Sequence, residues 1–138
     1  MEATKNEMQT KKIIFFDGVC HLCNAFVDHL IQRDQQHKLF FAPLQGVTAS
    51  QLLPAEQTKQ LNSVIYSREG LILQESQAVI QVLQDLGGLY KFFVIFRIIP
   101  SGLRDGIYRW VAKNRYAWFG ERDFCRIATA EERSFLLP

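Results

Sequence analysis

In FFDGVCHLCNAF, residues 15–26, two cysteines stand two residues apart and Asp17 lies three positions before the first of them. Three chemistries suit such a pair: a redox couple, half of a metal site, or two small core residues. If a helix begins at Cys20, the unpaired N–H groups and the positive end of the helix dipole favour its thiolate. Cys20 is then the candidate nucleophile, because the thiolate is the attacking species in disulfide exchange. Cys23, three residues on, falls on the same helical face with its Cα about 5 Å away, within reach of a disulfide. It is placed to resolve a mixed disulfide. Helical periodicity sets it further in, so Cys23 is expected to be the more buried of the two.

Two neighbours bear on this chemistry. His21 as an imidazolium would stabilise the Cys20 thiolate, and as an exposed neutral ring would do little. Asp17 either caps the first turn or an Asx turn through its carboxylate, or accepts a proton from the pair, and its charge opposes the thiolate. A zinc site needs about four ligands, and the further candidates are His21, His29, His37 and Cys125, with no second CxxC among them. No cofactor and no resident metal are therefore expected. Cys125 reads as a packed small residue or as a third thiol near the pair.

The elements that must position these residues follow from the apolar pattern. IIFF before Asp17-Gly18 fits a strand buried on both faces. From Cys20 to about Gln36 the apolar residues recur at helical spacing, with Leu22, Phe26 and Leu30 on one ridge. KLFFAPL supplies a second strand, parallel to the first through a right-handed crossover. A polar stretch with a short helix around Ala49–Leu53, and a further turn after Pro54, leads to SVIYSREGLILQ, a hairpin across Arg68-Glu69-Gly70. SQAVIQVLQDLGG is a helix closed by two glycines. Ser76 and Glu75 open it, as a cap and a dipole partner, or as contacts to a substrate on the active-site side. An apolar helix over Leu89–Ile99 and another over Ser101–Asn114, capped by Ser101, complete the chain. The expected fold is α/β and thioredoxin-like: a mixed four-stranded sheet, helices on both faces and extra C-terminal helices.

The chain has 138 residues, 48% of them hydrophobic, which is enough for one core, and a net charge of +2 gives no global drive toward nucleic acid. Residues 1–12 read as a disordered tail and residues 13–138 as one domain with a helical extension. The first twelve residues are polar and lack a secretory apolar run, and three cysteines is an odd number, so a reducing cytoplasmic setting is expected. Between Arg97 and Arg126 seven basic residues face three acidic ones, interleaved with tyrosines and tryptophans. This reads as a solvated helix face, with no nucleic-acid partner. The Leu89–Ile99 segment is apolar all round and suits a homodimer contact or a peripheral membrane contact.

DGVCHLC, then ESQAVIQVL after the hairpin, then YRWVAKNRYAWFG near the C-terminus together resemble the DCC family of thiol-disulfide oxidoreductases, over Ile13–Cys125. The resemblance implies a thioredoxin-like fold with Asp17, Cys20 and Cys23 as its signature and the two cysteines as the redox pair. Protein or small-molecule thiols and disulfides are then the partners. Thioredoxins carry a cis-proline before the third strand, and this chain has Asn62-Ser63 there, with Pro54 the nearest earlier proline. Ser63 therefore joins the active-site neighbours, and a more open pair leaves a second reading: a thioredoxin-like binding module that holds a metal or a protein through the CxxC.

Overall fold

Two isoleucines and then two phenylalanines follow the lysine in Lys12–Phe16 (β1), and both faces of the strand are buried. Ile14 and Phe16 enter one apolar cluster, Ile13 and Phe15 the other. A strand sealed on both faces is what a sheet with helices on each side requires. The computed structural model describes residues 10–34, 38–53, 64–120 and 129–137. Residues 1–9 of the expected tail, the turn after Pro54, Ser63 and Cys125 lie outside the described residues.

His21–Arg33 (α1) follows the turn after β1. It stops before the expected Gln36, at the buried Asp34, whose carboxylate accepts from the Lys38 and Leu39 N–H groups at 3.0 and 2.8 Å. Those two bonds end the helix and aim the chain into Phe40–Pro43 (β2), parallel to β1 with Ile13 opposite Phe40. Val47–Leu52 (α2) packs through Ala49 against the face bearing Ile13 and Phe15. Ile65–Arg68 (β3) runs antiparallel to β1 and turns into Leu71–Gln74 (β4). The turn has Glu69 at φ 51° and Gly70 at φ 88°, the two positive values of a type I′ hairpin.

Glu75–Leu86 (α3) buries Ala78, Val82 and Leu83 beside α1 on the face of Ile14 and Phe16. Tyr66 and Arg68 of β3 both bond the Asp85 carboxylate, at 2.6 and 2.8 Å, and fix α3 to the sheet. Strand order is β2-β1-β3-β4, with one parallel and two antiparallel pairings. The fold is the expected thioredoxin-like α/β arrangement. The outer edge of β2 is covered by the C-terminal residues: Phe41 N–H donates to Phe135 C=O at 2.8 Å, and Leu137 N–H to Phe41 C=O at 2.6 Å.

Two C-terminal elements differ from the sequence expectation. The Leu89–Ile99 stretch forms 3-10 turns over Gly88–Ile98 against α3, rather than an α-helix. Ser101–Phe119 (α4) is five residues longer than expected, and Pro100 occupies its cap position with Ser101 as first helical residue. Among the described residues no helix is long and apolar enough to cross a membrane.

Candidate redox site

At the end of β1 the chain must turn sharply, and Asp17 makes the turn. Its Oδ1 accepts from Val19 N–H at 3.1 Å, and its carbonyl accepts from Cys20 N–H at 3.2 Å. Its carboxylate thus makes an Asx turn ahead of the helix, and it does not cap the first helical turn. Cys20 takes extended backbone angles (φ −80°, ψ 124°) and is the N-cap of α1, its Sγ accepting from Cys23 N–H at 3.4 Å. Sulfur thus fills the place usually held by a serine or aspartate oxygen, and a cap acceptor is best when anionic. Buried Asn24 secures the loop by donating to Gly18 C=O at 2.8 Å and Cys20 C=O at 2.9 Å.

Both cysteines are free thiols. The S–H of Cys23, aimed at the Cys20 sulfur, is the largest influence on Cys20; with backbone N–H groups and Arg115 it outweighs burial and lowers the Cys20 pKa from 9.0 to about 6. At neutral pH Cys20 is then mostly thiolate. Cys23 moves the opposite way, raised by donating to Cys20, by burial, and by the negative charge beside it. The acid-base asymmetry is the one the sequence predicts. The exposure is reversed: Cys20 has no accessible surface, whereas Cys23 is partly exposed. A cap residue at the foot of the helix tucks under its surroundings, while Cys23 stands on the wall of a cavity.

The cavity, about 300 Å³, lies between α1, α3, α4 and Val64 just before β3. Leu22, Cys23 and Phe26 form one wall, Val79 and Val64 a second, and Tyr108, Val111 and Ala112 a third, with Asp17 and Arg115 at the polar end. Leu22 and Phe26, two residues of the α1 apolar ridge, line this space, and Phe26 also packs against the main core.

Arg115, from the last third of α4, is the residue that sequence reasoning missed. Its Nη2 donates to Asp17 Oδ2 at 3.0 Å, and Tyr116 donates its hydroxyl to the same oxygen. Gln45 Nε2 donates to Oδ1 at 2.6 Å, while its own carbonyl accepts from Gly18 N–H at 3.0 Å. Asp17 is 2% exposed and Arg115 is 4% exposed, so this is a buried ion pair with its remaining lone pairs satisfied. Burial opposes the Arg115 charge, but the bonds to Asp17 and Tyr116 more than offset it. Tyr116 is pushed up to about 12, by burial first and then by Asp17.

The other expected site residues divide. His21 is exposed, and its N–H donates to Gly120 C=O at 3.3 Å, joining the end of α4 to the start of α1. Ser76 donates its hydroxyl to Asp105 of α4, and Glu75 pairs with Arg109 at 3.1 Å, so this pair fastens α3 to α4 and does not line the cavity. Ser63 is outside the described residues. Its neighbour Val64 donates its N–H to the Tyr108 hydroxyl at 2.7 Å; burial, above all, pushes Tyr108 up to about 12. Among the described residues no three His, Cys, Asp or Glu side chains gather as a metal site.

Gly120 ends α4 at φ 88°, ψ 176°, a region open essentially to glycine, and a Cβ there would lie 3.2 Å from His21 Cδ2. Gly120→Ala is therefore expected to cost about 1–3 kcal/mol in urea unfolding. An unchanged midpoint would show that α4 does not close on α1 in this way.

A family model described as DCC1-like thiol-disulfide oxidoreductase matches residues 14–121. The chain is 34% identical over 135 residues to the uncharacterized protein YuxK of Bacillus subtilis, covering 96% of this chain and 98% of that protein. It is 30% identical over 124 residues to a DCC family protein of Arabidopsis thaliana named as chloroplastic, covering 88% of this chain and 72% of that one. No solved structure gives a significant match.

Proposed function

Because the chain belongs to the DCC1-like thiol-disulfide oxidoreductase family, we propose that it exchanges disulfides with protein or small-molecule thiols through Cys20 and Cys23. The observation that carries this reading is the Cys20 sulfur at the α1 N-cap, accepting from Cys23 and held well below the ordinary thiol pKa. Cys20 has no accessible surface in this structure, so the step requires its cover to move aside; the Cys20 thiolate then attacks one sulfur of a substrate disulfide and the other leaves as a thiolate. Cys20 is then in a mixed disulfide and carries no charge. Two of the causes that raise Cys23, its bond to the thiolate and the repulsion from it, vanish at that moment, so its proton leaves more readily. Cys23 attacks Cys20 Sγ, the second substrate thiol departs, and a Cys20–Cys23 disulfide remains. Two substrate thiols are formed and the protein dithiol is oxidised, so atoms and electrons balance.

Asp17 serves this chemistry as a positioning residue. With both oxygens occupied by four donors it holds the turn that delivers Cys20 to the helix end and anchors Arg115, whose charge assists the thiolate. The odd number of cysteines and the free thiols fit a reducing compartment such as the cytoplasm.

The first test is the pH dependence of iodoacetamide alkylation. The folded Cys20 pKa lies below the ordinary thiol value, so the rate should rise with pH through an inflection near 6 and level off well before 8.5. A single inflection above 8 would remove the activated thiolate from the account. A second reading, a thioredoxin-like module that turns nothing over, is favoured by the absence of accessible surface at Cys20. Stoichiometric zinc in protein purified without chelator, lost in Cys20→Ser, would select it over exchange.

A further inference from the structure

Eleven of the fourteen exposed large apolar side chains among the described residues fall between Phe92 and Phe119. In the 3-10 turns Phe92 is 74% exposed, Ile95 61% and Ile98 81%. In α4, Leu103, Ile107, Trp110 and Trp118 are all half or more exposed. At 100° per residue these four fall on one narrow face of the helix. A different face, centred about 110° round the helix and carrying Tyr108, Val111, Ala112 and Arg115, lines the cavity, so the outer stripe is surplus to the fold's own core. An apolar surface of this extent marks an interface.

Charge decides between the possible occupants. Within Gly88–Phe119 the exposed ionisable side chains are Lys91, Arg97, Arg109 and Lys113, all basic; Arg109 is paired with Glu75 of α3, and the one acid of the segment, Asp105, is half-buried and bonded to Ser76. A second copy in a two-fold contact would bring like charges together. An anionic lipid surface complements them, with Lys and Arg at headgroup level, Trp at the boundary, and Phe and Ile in the acyl region. Neither element is long and apolar enough to cross the bilayer, so they would lie in its surface.

We propose that the 3-10 turns Gly88–Ile98 and the outer stripe of α4 form a docking surface for an anionic bilayer. The proposal is independent of the redox reading. The chain has two tryptophans, Trp110 and Trp118, and both lie on this stripe, so intrinsic fluorescence reads it directly. The full-length protein is mixed with phosphatidylcholine vesicles, with or without a minority of phosphatidylglycerol, and followed by sedimentation and emission. Binding and a blue shift are expected with the anionic vesicles and weaken with added salt. Phe92→Ser/Ile98→Ser alters two of the most exposed side chains and should keep its circular dichroism spectrum while partitioning about tenfold less or lower. Failure to bind anionic vesicles, equal binding to both vesicle types, or equal binding by the double variant would each overturn the proposal. So would a concentration-dependent dimer abolished by the double variant in protein that ignores vesicles, which would give the surface to a second copy.

Discussion

Cys20→Ser is expected to lower the rate of disulfide exchange by about three orders of magnitude or more, because serine offers no anionic nucleophile at neutral pH. Cys23→Ser should behave differently. Its Cys20 still attacks, but nothing resolves the product, so partners accumulate as mixed disulfides stable to gel analysis and released by reductant. The Cys23 S–H is also the largest influence lowering Cys20, so the serine variant tests whether a hydroxyl donor can replace it. The alkylation inflection should move upward from about 6 while staying under the ordinary value, since the backbone N–H of residue 23 remains. Equal loss of exchange in both variants with no trapped species would contradict the assigned order of attack.

Arg115→Met is expected to destabilise the protein by about 3–5 kcal/mol, because it leaves the Asp17 carboxylate buried without its cation. Against total stabilities of about 5–15 kcal/mol, that is a large share. Asp17→Asn should cost a similar amount by stranding Arg115. In the double variant Asp17→Asn/Arg115→Met neither charge is stranded, so the two losses should be far from additive in urea unfolding. A redox signature accompanies the loss. Arg115 helps to lower Cys20, so Arg115→Met should raise the alkylation inflection, and Arg115→Lys should recover part of the shift by restoring the charge without the second bond to Ala112 C=O. A loss under about 1 kcal/mol with an unchanged inflection would mean that the pair neither holds the turn nor acts on the thiol.

The parts of this fold legible in the sequence are those with a local signal. The doubly apolar run Ile13–Phe16, the hairpin at Glu69-Gly70 and the glycine-closed α3 each announce themselves within a dozen residues, and together they determine the order of the sheet. The helix-opening cysteine was legible in the same way, since Asp17 and Gly18 mark the turn before it. Arg115 was not. It lies 98 positions from Asp17, in a segment whose basic residues read as a solvated face. Its signal was the spacing of Tyr108, Val111 or Ala112, and Arg115, one helical face that buries a cation and therefore demands an acid.

The relative exposure of the cysteines was misread for a related reason. Periodicity says which residues share a face, but α4, folding back from the far end of the chain, decides what covers that face. Cys23 borders the cavity that α4 helps to enclose, and Cys20 is closed in at the foot of α1. The Phe-rich stretch, apolar on every side, carried no period to choose between helix types, and it adopts 3-10 turns against α3.

Whether Cys20 and Cys23 form a reversible redox couple is read from the equilibrium potential of the pair, by thiol trapping across graded glutathione buffers. A single two-electron transition to a Cys20–Cys23 disulfide is expected, with a midpoint between about −270 and −120 mV, the range of CxxC proteins. A dithiol that stays reduced throughout that range, or oxidises only to intermolecular products, would contradict it.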